Sequence, residues 1–220
     1  MPRIFAIGDI HGCSKTFKRL LLEKIQVRKS DKVYCVGDYI DRGPDSKGVI
    51  DLIISLRKSG YNIHSLRGNH EQLMMDSEKS EQAFEHWYMN GGNTTLQSFG
   101  INLYAEMPAT YKSFFSSTKL CIQSGQYIFV HAGLNFSNED IFKDKEAMLW
   151  IRNFNSYQSI LGKRWLIHGH TPTSIEDILN QNGNCINIDG GCVFSEKSHL
   201  GKLVALNIAD GKFISVNNCE

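Results

Sequence analysis

The residues best suited to chemistry in this 220-residue chain stand in five short, glycine-bearing clusters. They are Gly8-Asp9-Ile10-His11-Gly12, Gly37-Asp38-Tyr39-Ile40-Asp41-Arg42-Gly43, Gly68-Asn69-His70-Glu71, His131-Ala132-Gly133 and His168-Gly169-His170-Thr171-Pro172. Together they offer the carboxylates of Asp9 and Asp38, the amide oxygen of Asn69, and the imidazoles of His11, His131 and one or both of His168 and His170. A mixed carboxylate, imidazole and amide set with no thiolate suits borderline or hard divalent ions such as manganese, iron or zinc. It is too large for one ion that keeps open positions, so two ions sharing a carboxylate is the economical arrangement. Such a pair, about 3.5 to 4 Å apart, generates a hydroxide nucleophile and clamps both ends of an in-line displacement at phosphorus.

Other side chains in the same clusters favour a phosphoryl substrate. The guanidinium fork of Arg42 matches phosphate oxygens, and Arg152, which follows Met148-Leu149-Trp150-Ile151, is a second candidate. His70, beside Asn69, is placed to protonate a leaving alkoxide, and Asp41 could orient it. Arg67 reads as structural. Glu71 reads as a hydrogen-bond partner of the site or a first-turn helix charge. A single Asp or Asn after a strand is commonly just a turn residue or cap; six candidate ligands, all at strand ends, are better explained by a shared site.

Each cluster follows a short apolar run, at 4–7, 33–36, 61–66, 127–130 and 165–167. The runs predict strands whose carboxyl ends carry the clusters, the edge where open α/β sheets usually place ligands. Ser14 is the expected cap of a helix over 15–24, where Phe17, Leu20, Leu21 and Leu22 have near-helical spacing. Val49, Ile50, Leu52, Ile53 and Leu56 form an amphipathic stripe over 47–59, ended by Gly60. Residues 71–100 read as helical with a break at Asn90-Gly91-Gly92-Asn93, and 108–115 as another helix. Beyond these, 119–123 and 126–130 form a hairpin about Ser124-Gly125, and 185–188, 203–208 and 213–216 are further strands, the last two joined at Asp210-Gly211. The first half therefore alternates α and β, the second half is mainly β, and with no linker or repeat the expectation is one domain over 1–220.

Composition narrows the class. The 24 basic and 23 acidic residues nearly cancel, so nothing suggests a nucleic-acid-binding surface. No stretch approaches the roughly 18 consecutive apolar residues of a membrane span, and Met1-Pro2-Arg3 leads into strand-like sequence without a signal-peptide pattern. Six cysteines, at 13, 35, 121, 185, 192 and 219, are scattered without a CxxC pair and read as reduced small hydrophobes. The expectation is a cytoplasmic monomer that contacts neither membrane nor nucleic acid.

Taken together, the motifs GDIHG, GDYIDRG, GNHE, HAG and GHTP, in that order, resemble the phosphoprotein phosphatase family of metallophosphoesterases, in particular its compact bacterial and phage members. The resemblance implies an α/β (α+β) fold in which two mixed β-sheets pack face to face with helices outside. It further implies that Asp9, His11 and Asp38 hold one metal and that Asp38, Asn69, His131 and His170 hold the other, with Asp38 bridging. It places the general acid at His70, its partner at Asp41, and phosphate binding at Arg42, Arg152 and Asn69. His168 and Asp189 would then have supporting roles. The implied activity is hydrolysis of phosphate monoesters, phosphoserine and phosphothreonine of proteins or peptides first and phosphotyrosine next, with two divalent ions, manganese before iron or zinc. Two alternatives are a hydrolase of diadenosine tetraphosphate and a binding protein of the same fold without turnover. The second would be expected to have lost one of Asp9, Asp38, Asn69, His70 or His131, and all are present.

Overall fold

The structure is a computed structural model that describes residues 2–153 and 157–220. Among the described residues, nine strands build two mixed sheets: β1 (Ile4–Ile7), β2 (Lys32–Cys35), β3 (Asn62–Ser65), β4 (Cys121–Ser124), β5 (Tyr127–Val130), β6 (Trp165–His168), β7 (Cys185–Asn187), β8 (Lys202–Asn207) and β9 (Lys212–Asn217). The first sheet has the order β3-β2-β1-β8-β9 and the second β4-β5-β6-β7. In the first, β1 to β3 are parallel, β8 lies antiparallel to β1, and β9 antiparallel to β8. In the second, β5, β6 and β7 are parallel and β4 closes a hairpin with β5. A parallel bridge between Leu66 and Lys119 links the two sheets.

The apolar runs are continuous because the central strands are covered on both faces, while the period-two pleat splits their side chains between two layers. Phe5, Ile7, Val33 and Cys35 face the helices, whereas Ala6, Tyr34 and Val36 meet Phe129, Ile167, Ile186 and Ile188 of the other sheet. The far face of the second sheet buries Ile128, Val130 and Leu166 against Leu134, Phe136 and Met148. The result is four layers: helix, sheet, sheet, helix and loop.

Helices α1 (Ser14–Arg19), α2 (Ser46–Lys58), α3 (Asn69–Asp76), α4 (Glu81–Trp87), α5 (Asn93–Phe99) and α6 (Ala109–Ser117) follow from the first half. Three differences from the expected elements have clear causes. Ser14 is the first residue of α1 rather than its cap; its Oγ instead donates to Asp45 Oδ2, and Asp45 caps α2 by accepting from Gly48 N–H. The stretch read as one broken helix divides into α3, α4 and α5, with a π-helical turn (Tyr88–Gly92) in which Gly91 has φ 106°. The second half, read as mainly β, also carries α7 (Lys145–Trp150), α8 (Tyr157–Leu161) and α9 (Ile175–Leu179). These are only five or six residues long, too short for a helical period to stand out; Asp144 and Ser174 supply the side-chain caps of α7 and α9. No helix among the described residues is long and apolar enough to cross a membrane.

Candidate active site

Parallel pairing aligns the carboxyl ends of β1, β2 and β3 on one edge and those of β5 and β6 beside it, which gathers the five clusters. Two cross-sheet contacts fix the edge. The His170 backbone N–H donates to Asp9 Oδ2 at 3.0 Å, and His131 Nδ1 lies 3.2 Å from the Val36 carbonyl. Asp9, His11, Asp38, Asp41, Asn69, His70, His131, His168 and His170 are all buried. Of the six non-glycine residues described with positive φ, five are His11, Asp38, Asp41, Arg42 and His170. Left-handed backbone disfavours L-residues and persists where the surroundings over-determine it, so strain is concentrated at these side chains. Close approach matters as much as twist: a Cβ at Gly68 would collide with Asp38 Oδ1, which is what permits β3 to run into α3 at this point.

Two triplets bring donor atoms within 4.8 Å of one another, His11, Asp38 and His70, and Asp38, His131 and His170; Asp38 belongs to both. Asn69 Oδ1 joins the second triplet at 2.9 Å from both His131 Nε2 and His170 Nδ1, and those two nitrogens are 3.1 Å apart. The Val36 carbonyl assigns the His131 proton to Nδ1, which leaves Nε2 with a bare lone pair facing an amide oxygen that can only accept. Lone pairs at this separation match the edges of a coordination polyhedron with bonds of about 2.0–2.2 Å. Likewise Ile40 O at 2.8 Å from His11 Nδ1, with the Arg42 Nη1 donor at 2.7 Å from Nε2, assigns the proton to Nδ1 and the lone pair to Nε2. Asp9 lies outside both triplets, yet its Oδ1 is buried without a hydrogen-bond partner. The donor set therefore fits divalent cations.

The electrostatics agree. Burial holds His11 well below the usual imidazole range, lowers His131, and takes His170 down to about 3 and His168 to about 4, so these rings are neutral. Asp38, despite burial that acts the other way, lies below the usual carboxylate range, because a proton entering the cluster goes to one of the surrounding His131, His70, His11 and His170 and its charge favours the carboxylate. Burial, then Asp189 and Asp38, raise Asp9 well above that range, and burial takes Asp189 up to about 7. Crowded carboxylates beside neutral imidazoles make a site short of positive charge.

His70 differs from the other histidines. Burial would lower it, but the carboxylates of Asp38 and Asp41 outweigh that and raise it. Its Nδ1 lies 2.7 Å from Asp41 Oδ2, its backbone N–H donates to Asp38 Oδ1, and its ring meets that of His11 edge-on. Glu71, expected to support the site, accepts from the backbone N–H groups of Asp38, Tyr39 and Gly68, which ties the β2 loop to the start of α3. Arg42 lies over the Phe194 ring and donates to His11, while Arg152 Nη1 donates to the His170 carbonyl from the rim. Arg67 is structural, bound to Thr118 and Gln72. His168 Nδ1 lies 3.1 Å from the Gly169 carbonyl and is in neither triplet, and Asp189 Oδ1 accepts from Gly191 N–H. Sequence reasoning missed Trp87, Thr95 and Ser46, which surround Asp41. Trp87 and Thr95 flank the Asn90-Gly91-Gly92-Asn93 break, and that break was the available signal.

The family model of calcineurin-like phosphoesterases matches residues 2–199. The chain belongs to this family. The calcineurin-like phosphoesterase is 32% identical over 215 residues to serine/threonine-protein phosphatase 1 of Salmonella typhimurium, covering 91% of each chain. It is 27% identical over 247 residues to the asymmetrical bis(5'-nucleosyl)-tetraphosphatase PrpE of Oceanobacillus iheyensis, covering 97% of this chain and 92% of that one. Among solved structures, a candidate diadenosine tetraphosphatase shares the fold with a TM-score of 0.69 at 23% identity, over 100% of this chain and 97% of the other. The protein is a metallophosphoesterase, a hydrolase of a dinuclear-metal family.

Proposed function

We propose that this metallophosphoesterase hydrolyses phosphate monoesters, with phosphoserine and phosphothreonine of proteins or peptides as its preferred substrates. Asp9, His11 and Asp38 would hold one divalent ion and Asp38, Asn69, His131 and His170 the other, manganese being the first candidate. Bound there, the ions would polarise the phosphoryl group and activate a water molecule as nucleophile. The chain's own residues do the rest. Arg42 and Arg152 hold phosphoryl oxygens, the Asn69 amide helps to orient the group, and His70 gives the proton on Nε2 to the departing oxygen while its Nδ1–H stays hydrogen-bonded to Asp41.

The observation that carries this reading is the buried His70–Asp41 pair, 2.7 Å apart, beside the shared Asp38. A serine or threonine alkoxide is a strongly basic leaving group and needs a proton as the ester bond breaks. A nucleotide phosphate, whose second pKa is about 6, leaves without one. A histidine whose hold on its proton is strengthened by two carboxylates is therefore worth most on a monoester of an alcohol. The 32% identity to a serine/threonine phosphatase over 91% of the chain supports the same choice.

The second reading, hydrolysis of dinucleoside tetraphosphates, is supported by the similarity to PrpE along 97% of the chain. The deciding measurement is the ratio of kcat/KM for the manganese-loaded protein on a phosphoserine peptide and on diadenosine tetraphosphate. The expected ratio is well above one; a ratio well below one overturns the protein-phosphatase assignment. In the same assay, chelator should abolish turnover and manganese restore it.

A further inference from the structure

The break at Asn90-Gly91-Gly92-Asn93 lies far from every cluster in the chain yet touches the site at its most strained point. Asp41 and Arg42 both have left-handed backbone, at φ 71° and 68°, and Arg42 N–H donates to the Gly91 carbonyl at 3.2 Å. A Cβ at Gly91 would press on the Arg42 backbone, and one at Gly92 on the indole of Trp87, so the two glycines let the turn lie flat against both. The helices that enter and leave this turn carry the groups that surround Asp41. Trp87 Nε1 donates to Asp41 Oδ2 at 3.0 Å and to Oδ1 at 3.2 Å, and Thr95 Oγ1 donates to Oδ1 at 2.6 Å. The Asp41 backbone N–H is shared between Thr95 Oγ1 and Ser46 Oγ, which are themselves 3.0 Å apart. Asp41, Ser46, Trp87 and Thr95 are all fully buried.

We infer that Trp87 and Thr95 are positioning residues for proton donation. Together they clamp the Asp41 carboxylate in the one orientation that keeps Oδ2 on His70 Nδ1, and so aim His70 Nε2 at the leaving oxygen. Without the clamp, a carboxylate on a left-handed turn is free to rotate about χ1 and χ2, and the ring it steers loses its fixed direction. The indole serves both oxygens and the threonine only Oδ1, so Oδ2 keeps lone-pair capacity for the imidazole. The Ser46 hydroxyl donates to Thr95 Oγ1, which frees the threonine proton for Asp41. The break is thus a device for bringing an indole N–H and a hydroxyl eight residues apart onto one carboxylate.

The inference rests on His70 as the acid, and the test separates the two claims. Two manganese-loaded substrates are compared, a 4-nitrophenyl phosphate, whose leaving group needs no proton, and a phosphoserine peptide, whose leaving group does. Thr95→Val is expected to lower kcat on the peptide about tenfold or more, the loss of one hydrogen bond to a charged group, with KM unchanged and the aryl ester slowed less than about threefold. Thr95→Ser, which keeps the hydroxyl, recovers the rate. In a His70→Asn background Thr95→Val has no further effect on the peptide, because the group it steers is gone. The downfield imidazole Nδ1–H resonance of His70, read by NMR without metal, is expected in wild type and Thr95→Ser and to shift or broaden in Thr95→Val. Trp87→Phe, which opens no large cavity, provides the second variant, with thermal melts to show that each protein folds. If His70→Asn slows both substrates equally, the acid assignment falls. If His70→Asn is selective for the peptide and the folded Thr95 and Trp87 variants are not, the clamp falls alone.

Discussion

At the scale of single residues, the site is built from side chains that would be costly anywhere else. Asp38 is the clearest case: buried, left-handed at φ 49°, common to both donor triplets, and ringed by four histidines. Its place is held by Glu71, whose Oε2 accepts from Asp38 N–H at 2.9 Å and Gly68 N–H at 2.8 Å, while Oε1 accepts from Tyr39 N–H at 2.8 Å. Burial and the charge of Asp38 push the Glu71 carboxyl up, while these amides, which face both of its oxygens, pull the other way and favour the ionised form. Replacing it with Gln turns one oxygen into an NH2 that faces backbone donors. Glu71→Gln should therefore cost about 2 kcal/mol in denaturant unfolding, the usual cost of a buried polar group left without its partner, and should reduce the manganese content of the purified protein. An unchanged midpoint and full metal occupancy would remove Glu71 from its anchoring role. Glu71 was legible in the sequence as a supporting carboxylate because of its neighbours; that it spans two loops was not, because both other partners lie 32 and 33 residues away.

At the scale of elements, short strands end in loops that would wander unless tied down, and capping side chains tie them. Asp45 accepts from Gly48 N–H at 2.9 Å to cap α2 and from Ser14 Oγ at 2.5 Å, while its own N–H donates to the Gly12 carbonyl. One residue thus fixes the exit from the first cluster, the exit from the second and the start of a thirteen-residue helix. Asp45→Ala should lower stability by about 1 kcal/mol, which for a chain of this size is about 2–4 °C in Tm. Asp45→Asn, which keeps an acceptor oxygen, should recover most of it; equal melts for the two variants would contradict the capping role. The amphipathic stripe of α2 was readable because thirteen residues show a helical period. The short helices α7, α8 and α9 were not, since five or six residues show no period; packing of Met148 and Leu161 against the second sheet holds α7 and α8, and the Ser174 cap starts α9.

At the scale of the whole molecule, the far end of the first sheet closes through Arg3 and Asp31. The Asp31 side chain is 2% exposed, and Arg3 Nη2 donates to its Oδ2 at 2.6 Å and Nε to Oδ1 at 3.2 Å, with the Arg28 N–H adding a third bond. Burial alone would raise this carboxyl, but the guanidinium and the amide bring it below the ordinary carboxylate value. The unfolded chain, with a pKa of about 3.9, then takes up the proton at higher pH than the folded chain does. The stabilisation is complete above the unfolded value and is lost as pH falls through the folded one. Asp31→Asn should thus cost on the order of 1 kcal/mol at pH 7, with the gap to wild type closing as the pH falls below the unfolded value of about 3.9, read from denaturant titrations at neutral and acid pH. A gap that stays constant over that range would mean that Asp31 contributes by packing.

Much of this protein was readable before any tertiary structure. Five glycine-bearing clusters after five apolar runs identified strand ends, a phosphoryl chemistry and the family, because a donor set and a strand period are both local properties of the chain. Tertiary structure alone decided what makes those donors usable: the left-handed backbone at His11, Asp38 and His170, the stitch from the His170 N–H to Asp9, and the hold on Asp41. Trp87 and Thr95 are 46 and 54 residues from Asp41, and the glycine break between them marks a turn without separating a core tryptophan from one whose N–H holds a carboxylate. Such contacts exist only after α4, the π-helical turn and α5 have packed against the loop that follows β2. Hydrogen bonds across the chain depend on the packing of whole elements, and that is a property of the fold rather than of any stretch of it.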